Sequence, residues 1–269
     1  MQNKTIIYIL VSIAGCVALG LGVYFYFNYK NSREYIEYAN EALQNKDFYH
    51  ATNYAKVSLY YQENFDAYMI LARVNNELNF FDEVIKDVNW ALEHGKADEL
   101  TYFLRGKSYY KLHLKGEDIN VEEIMATLFE GKKEVSTNLI KAKEDLLKGA
   151  EQEDAIDSTF YYLGIVLNKL GDNKGAAENF QKFISVNKNS FEAYAERGIA
   201  LYHAGDFKAA LNDLNVAEEM RPKEGRVLFF KGMTNLELKD TTAACMDLAG
   251  ARNNDYQMPE GLIEQVCKY

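Results

Sequence analysis

Residues that interrupt regular structure are scarce in this chain, which has two prolines and seventeen glycines among 269 residues. Disordered segments are usually poor in apolar residues, whereas 48% of this chain is apolar. The composition therefore argues against long disordered stretches. At this length we expect one elongated domain or two small globular ones.

A basic excess is also absent, because 40 aspartates and glutamates outnumber 30 lysines and arginines, for a formal net charge of −10. A nucleic-acid partner requires a basic face for its phosphates, so none is expected. The four histidines (His50, His94, His113 and His203) lie at no ligand-like spacing, and the sequence has no phosphate-binding glycine loop or nucleophile motif. We expect no metal, no cofactor and no enzymatic activity.

The one long hydrophobic run lies at the N-terminus, where residues 5–27 carry no charge. As a helix this run would be about 34 Å long, which spans a hydrocarbon core of about 30 Å. Tyr24, Tyr26 and Tyr29 occupy the place of an interfacial aromatic belt. A cleavable signal peptide has a shorter apolar region of about 7–15 residues. We therefore predict a transmembrane anchor, with short flanks, at residues 1–31.

A second interpretation of this segment is a lipidated cysteine. Residues 13–16 resemble the lipobox of bacterial lipoproteins, in which Cys16 would carry the lipid, although apolar rather than polar residues follow it. Lys4 precedes the run and Lys30 and Arg33 follow it, so the positive charges barely bias its orientation. A short N-terminal tail stays most simply in the cytoplasm, which would place the body outside. A cytoplasm-facing body is the alternative.

The rest of the chain carries an internal repeat. Four residue types recur at 34-residue spacing: the glycines Gly164, Gly198 and Gly232, the aspartates Asp172, Asp206 and Asp240, the alanines Ala176, Ala210 and Ala244, and the large apolar residues Phe180, Leu214 and Leu248. Apolar residues at three- and four-residue steps flank each aspartate, so each copy predicts two short helices joined by a turn. The aspartate is placed to cap the second helix.

The recurring glycine requires a physical cause, because glycine inside a helix costs about 1 kcal/mol relative to alanine. We predict that the glycine of the first helix faces the alanine of the second, so that the two backbones approach closely. The large apolar residue of each copy would then fill the seam between the helices. One hairpin cannot bury its other face alone, so the next copy must cover it.

These positions resemble the tetratricopeptide repeat, whose pattern has a small residue at position 8, alanine at 20, a large apolar residue at 24 and a small residue at 27. The copy at 191–224 fits best, and Phe183 departs from the pattern at position 27 of the preceding copy. The resemblance implies an all-α, right-handed superhelical solenoid of helical hairpins after the transmembrane helix. Residues 32–258 would form six repeats, at about 32–64, 65–98, 99–156, 157–190, 191–224 and 225–258.

Two segments depart from the repeat. Residues 115–135 interrupt the third copy, and their apolar spacing predicts an extra amphipathic helix, either a local lid or a partner-docking helix. Residues 259–269 predict a short capping helix that begins at Pro259. Cys245 lies in the last full repeat and Cys267 in this cap. They would form a disulfide in an oxidising compartment or remain two buried thiols.

The resemblance implies binding of a peptide or partner protein in a groove lined by the first helices, at positions 2, 5, 9 and 12 of each repeat. These positions and one neighbour form a mixed aromatic and polar wall with a few cations. The candidate residues are Arg73, Asn76, Phe103, Lys107, Tyr110, Tyr161, Ile165, Asn168, Ile199, Tyr202, His203, Phe229 and Met233.

We predict a protein-interaction scaffold on the periplasmic face of a bacterial inner membrane. By analogy with bacterial repeat proteins of this layout, it would be accessory to secretion or envelope assembly. Two other functions remain open. One is a structural subunit of a membrane complex that uses its convex face and the insert. The other is a glycan or small-ligand binding module, which a pocket with stacked aromatic side chains would favour.

Overall fold

The computed structural model of this chain describes residues 2–94, 97–117 and 136–267, with side chains from residue 21 onward. Within these ranges all regular structure is helical, which confirms the predicted fold class at the level of a helical-hairpin solenoid. The described residues fall into two compact units, Met1–Ala97 and Asp98–Tyr269, here called unit 1 and unit 2. The predicted helix in the insert lies almost wholly in 118–135, outside the described residues.

Unit 1 contains two hairpins, built from helices α1 (Gln2–Gln44), α2 (Phe48–Tyr61), α3 (Phe65–Glu77) and α4 (Phe81–Glu93). The last part of α1 packs on α2 through Ala39, Ala51 and Ala55, which are fully buried and let the two helices approach closely. Asp47 caps α2 by accepting a hydrogen bond from the backbone N–H of His50. The hairpins are therefore held by small apolar contacts and a capped turn.

Helix α1 runs without interruption from the predicted anchor into the first hairpin. In the part of the chain that the structure describes, no helix is both long and apolar enough to cross a membrane. The side chains of residues 1–20 lie outside that part. They include most of the predicted span and Cys16.

Unit 2 contains four hairpins and a short last helix. Its helices are α5 (Glu99–Glu117), α6 (Thr137–Ala150), α7 (Asp157–Lys169), α8 (Asn173–Val186), α9 (Phe191–Ala204), α10 (Phe207–Met220), α11 (Gly225–Glu237), α12 (Thr241–Asn253) and α13 (Leu262–Val266). The three recurring aspartates each accept a hydrogen bond from the backbone N–H three residues later, as predicted for caps. Gly171 and Gly205 turn the chain before two of these caps with φ of +85° and +83°.

The predicted close approach of glycine to the alanine of the second helix is confirmed at Gly198 and Gly232, where a Cβ atom would lie 3.3 and 3.2 Å from the carbonyl oxygens of Ala210 and Ala244. A Cβ atom built on Gly198 would lie 2.8 Å from Leu214 Cγ, and one on Gly232 would lie 2.8 Å from Leu248 Cγ. Gly164 faces the ring of Phe180 in the same way, at 2.9 Å. Real Cβ atoms do not approach other atoms so closely, so only glycine fits here without rearrangement.

Asp87, on α4, gives unit 1 a buried carboxyl, which accepts a hydrogen bond from Asn75 Nδ2 at 3.0 Å. Burial raises the pKa of Asp87 to about 6, above the unfolded value of 3.8. The folded state therefore binds this proton more tightly, and stability falls as pH rises from about 4 through about 6.

The variant Asp87→Asn keeps the shape of this side chain without the charge. We expect it to raise the free energy of unfolding by up to about 3 kcal/mol at pH 7.5, a gain that disappears below pH 4. Urea unfolding of both proteins across this pH range would test the prediction. Asp82→Asn, an exposed change on the same helix, is the control. A gain that is independent of pH would contradict the assignment.

Candidate functional site

The first helices of the hairpins form one side of unit 2. Helices α5, α7, α9 and α11 contact one another in sequence along the row. Among the described residues, the second helices α6, α8, α10 and α12 make no such contacts with each other. The row therefore curves with the first helices on its inside, and we call this side the inner face.

Charged groups connect α9 and α11 in the middle of the inner face. The Arg226 guanidinium on α11 donates two hydrogen bonds to the Glu196 carboxylate on α9, at 2.5 and 3.1 Å. Burial raises the pKa of the Tyr161 hydroxyl on α7, and the negative charges of Glu196 and Glu192 raise it further. Tyr161 therefore stays a neutral hydrogen-bonding group beside two carboxylates.

Aromatic rings and lysines lie at the α5 end of the inner face. The rings of Phe103 and Tyr110 approach that of Tyr162 edge to face, with centroids 5.9 and 6.0 Å away. The ammonium groups of Lys107 and Lys111 lie 5.6 and 5.9 Å from the Tyr162 ring centroid. Cations over ring faces are favourable by about 0.5–1 kcal/mol each at exposed sites. This end is thus aromatic and positive.

The α11 end is also aromatic. The Phe230 ring contacts those of Tyr202 and His203, at centroid distances of 5.6 and 5.5 Å. Phe229 contacts Tyr256, which follows α12, at 5.0 Å. Burial, with a smaller effect from the Arg226 charge, lowers the pKa of His203. Its imidazole is therefore neutral at neutral pH.

Two residues predicted to line the groove belong to the core instead. Tyr110 is 7% exposed and Ile199 is 2% exposed. Tyr110 packs among the apolar side chains between α5 and α7, while Ile199 packs against Leu214 and Val227. Stacking of the next hairpin covers these positions, so they support the inner face without forming its surface.

The other predicted residues have varied surroundings. In unit 2, Phe103, Lys107, Tyr161, Tyr202, His203 and Phe229 take part in the contacts described above. Ile165 packs on the core edge, and Asn168 and Met233 are half-buried. Arg73 and Asn76 lie on α3 in unit 1, with Arg73 exposed.

Several inner-face residues escaped the sequence prediction. Tyr162, Glu196 and Phe230 occupy the same repeat position and are spaced 34 residues apart, but they differ in chemistry. The repeat spacing alone would have found them if position 6 had been included. Arg226 lies at position 2, one of the expected groove positions, but it was not among the candidate residues, and its pairing with Glu196 is visible only in the structure.

The remaining candidate groups are cysteines and possible metal ligands. Cys245 and Cys267 form a disulfide, with Cα atoms 5.4 Å apart, which joins α12 to the residue after α13. Within the described ranges, no group of three or more His, Cys, Asp or Glu side chains is arranged to hold a metal ion.

Comparisons with known proteins agree with this architecture. Residues 161–224 and 197–253 match the family described as tetratricopeptide repeat. No curated protein matches the chain. Among solved structures, YrrB, described as a TPR protein with an unusual peptide-binding site, is 21% identical and covers 80% of this chain and 97% of its own, with a TM-score of 0.62.

MamA structures are also similar. One crystal structure of MamA is 16% identical and covers 74% of this chain and 98% of its own, with a TM-score of 0.54. The MamA structure labelled MSR-1 is 15% identical and covers 71% and 96%, with a TM-score of 0.58. At these identities the likeness shows a shared helical-repeat fold.

Proposed function

Because this chain belongs to the tetratricopeptide repeat family, we propose that it is an interaction scaffold whose inner face binds an extended peptide or a segment of a partner protein. The supporting observation is the continuous row of rings and charged groups from Phe103 on α5 to Tyr256 after α12. The likeness to YrrB, which has a peptide-binding site, is consistent with this use.

The inner face offers two kinds of contact to such a partner. The rings at both ends present large, rigid apolar surfaces, which lose little conformational entropy on binding. Between them, the Glu196–Arg226 pair and the Tyr161 hydroxyl offer donors and acceptors that are held in place before binding. A preorganised surface of this kind reduces the ordering cost of association. Proteins of this family are generally scaffolds without enzymatic activity, and we propose the same here.

We further propose that residues 5–27 anchor the scaffold in a bacterial inner membrane, with the repeats in the periplasm in a secretion or envelope-assembly role. Two observations support this. Tyr24, Phe25, Tyr26 and Phe27 are exposed on α1, immediately before the first hairpin. The Cys245–Cys267 disulfide suits an oxidising compartment. Lipidation of Cys16 would tether the repeats by another route.

Site-specific photocrosslinking tests the inner face in cells. A photoreactive phenylalanine at Phe229, on α11, is expected to capture a partner as a discrete product. The same group at Met246, which is 66% exposed on α12, is the matched outer-face control. The product should disappear when Tyr202→Ala is introduced together with the Phe229 probe. Equal crosslinking from both positions, or from Met246 alone, would contradict use of the inner face.

Thiol labelling tests the location of the repeats. In intact cells, a reagent that cannot cross the inner membrane is expected to label Cys245 and Cys267 only after reduction, with Cys16→Ala removing the third thiol. The control is Cys245→Ser/Cys267→Ser, which should not be labelled. Labelling that requires cell lysis, with or without reductant, would place the repeats in the cytoplasm.

A further inference from the structure

Unit 1 contains an aromatic and acidic cavity that the proposed scaffold function does not use. It has a volume of about 310 Å³ and lies at the turn end of the first hairpin. Its lining residues are Tyr38, Glu41, Ala42, Asn45, Asp47, His50 and Tyr54. This volume is at the lower end of the range for small-molecule sites, about 300–1,000 Å³.

Three rings form the aromatic side of the cavity. The centroid of the Tyr54 ring is 5.7 Å from that of Tyr38 and 5.9 Å from that of His50. Tyr35 extends this surface, with its ring 6.2 Å from that of Tyr54. The faces of aromatic rings carry partial negative charge and attract cations. The walls therefore favour a cation with an apolar surface.

Two carboxylates lie among these rings. Asp47 accepts hydrogen bonds from the backbone N–H and the ring of His50, and these lower its pKa. Glu41 is exposed and forms no ion pair among the described residues. The one basic side chain that lines the cavity is His50, whose ring pairs with Asp47 and leaves the Glu41 carboxylate unmatched. The cavity is therefore negative.

Comparison with the other hairpins shows which group is lacking. In two hairpins of unit 2, a cation on the first helix pairs with an aspartate sixteen residues later: Arg197 with Asp213, and Lys231 with Asp247. Tyr38 and Tyr54 have the same sixteen-residue separation in the first hairpin. Rings thus replace the internal ion pair, and of the two carboxylates beside them only Asp47 has a basic partner, the ring of His50.

We propose that this cavity binds a small quaternary ammonium cation, with its methyl groups on the Tyr38 and Tyr54 rings and its charge near Glu41 and Asp47. A neutral saccharide would also stack on tyrosines and donate hydroxyl hydrogen bonds to the carboxylates, but it carries no positive charge to balance theirs. A zwitterion would bring its own carboxylate towards Glu41 and is disfavoured for that reason.

The position of the cavity favours a dissolved ligand over a lipid head group. Tyr38 is eleven residues beyond Phe27 on the uninterrupted helix α1, or about 16 Å along its axis. The head-group layer is only about 5–8 Å thick on each side of the hydrocarbon core. If residues 5–27 span the membrane, the cavity lies beyond the head groups of the same bilayer.

The test uses the full chain in a maltoside detergent, titrated with tetramethylammonium chloride and followed by saturation-transfer NMR. Binding is expected, whereas the neutral isostere of choline, 3,3-dimethylbutan-1-ol, should bind at least about fivefold more weakly. Glu41→Gln and Tyr38→Leu should each raise the dissociation constant about fivefold. Glu37→Gln and Tyr60→Leu are exposed controls outside the cavity and should leave it unchanged.

Several outcomes would overturn the proposal. One is that tetramethylammonium does not bind. Another is that the neutral isostere or a disaccharide binds as tightly as tetramethylammonium. A third is that the control variants lose as much affinity as the cavity variants. The lipid source is tested separately in nanodiscs. The protein in phosphatidylcholine nanodiscs should bind tetramethylammonium with the same affinity as the protein in phosphatidylglycerol nanodiscs. Competition by phosphatidylcholine would show that head groups reach the cavity and would overturn its assignment to a dissolved ligand.

Discussion

Replacing Asp213 with alanine is expected to lower the free energy of unfolding by about 3–5 kcal/mol, because it leaves the Arg197 guanidinium without its counter-charge. The pair joins α9 to α10 through two hydrogen bonds, of 2.5 and 2.6 Å. The two side chains are only 13% and 9% exposed. Arg197 would keep its hydrogen bond to Gln181 Oε1 but would have little contact with water, so the cost approaches that of a buried unpaired charge. Urea unfolding followed by circular dichroism measures the change.

The control for this prediction removes both charges. Arg197→Leu/Asp213→Leu is expected to be far more stable than Asp213→Ala, since an apolar pair often replaces a buried ion pair with little loss. The matched surface change is Glu192→Ala, whose partner Arg221 is 54% exposed. It should cost about 0–1 kcal/mol. A similar small effect for Asp213→Ala would show that Arg197 reaches water after the change.

The ion pairs show how far the repeat spacing can be read from sequence alone. Arg197 and Lys231 are 34 residues apart, as are their partners Asp213 and Asp247, so the spacing could have predicted both pairs. A third pair joins Arg105 to Asp145 at 2.7 Å. Its partners are 40 residues apart because the insert separates the two helices. A fixed spacing does not find such a pair.

The fold was easier to predict than the candidate binding sites, because the fold depends on positions that repeat from copy to copy. In unit 2, helix pairing follows from a glycine that faces a large apolar residue in each of the four hairpins, as at Gly198 and Leu214. The binding surfaces depend on what differs between repeats. Whether position 9 reaches solvent depends on the next hairpin, which buries Ile199 but leaves Lys107 only partly covered. The pairing of Tyr38 with Tyr54 likewise has no counterpart in the other copies.

At the contact between Gly198 and Leu214, the effect of Gly198→Ala on the free energy of unfolding is expected to change sign when Leu214 is also replaced by alanine. Leu214→Ala alone should lower the free energy of unfolding by about 4 kcal/mol, because Leu214 is fully buried and its loss leaves a cavity. Gly198→Ala alone should cost about 2 kcal/mol, because the new Cβ would lie 2.8 Å from Leu214 Cγ. This overlap outweighs the gain of about 1 kcal/mol that alanine brings to a helix interior.

In the Leu214→Ala protein that overlap is gone, and Gly198→Ala is expected to be neutral or stabilising there, by up to about 1 kcal/mol. Gly250→Ala is the matched control, since its Cβ would meet Leu228 Cδ1 at 3.4 Å, an ordinary contact. It should not destabilise the protein in either background. Additive costs for Gly198→Ala and Leu214→Ala would mean that something other than the leucine requires the glycine. The carbonyl oxygen of Ala210, at 3.3 Å, is then the group in contact. That result would place the constraint in the backbones themselves, and Gly232 beside the Ala244 carbonyl should then behave in the same way.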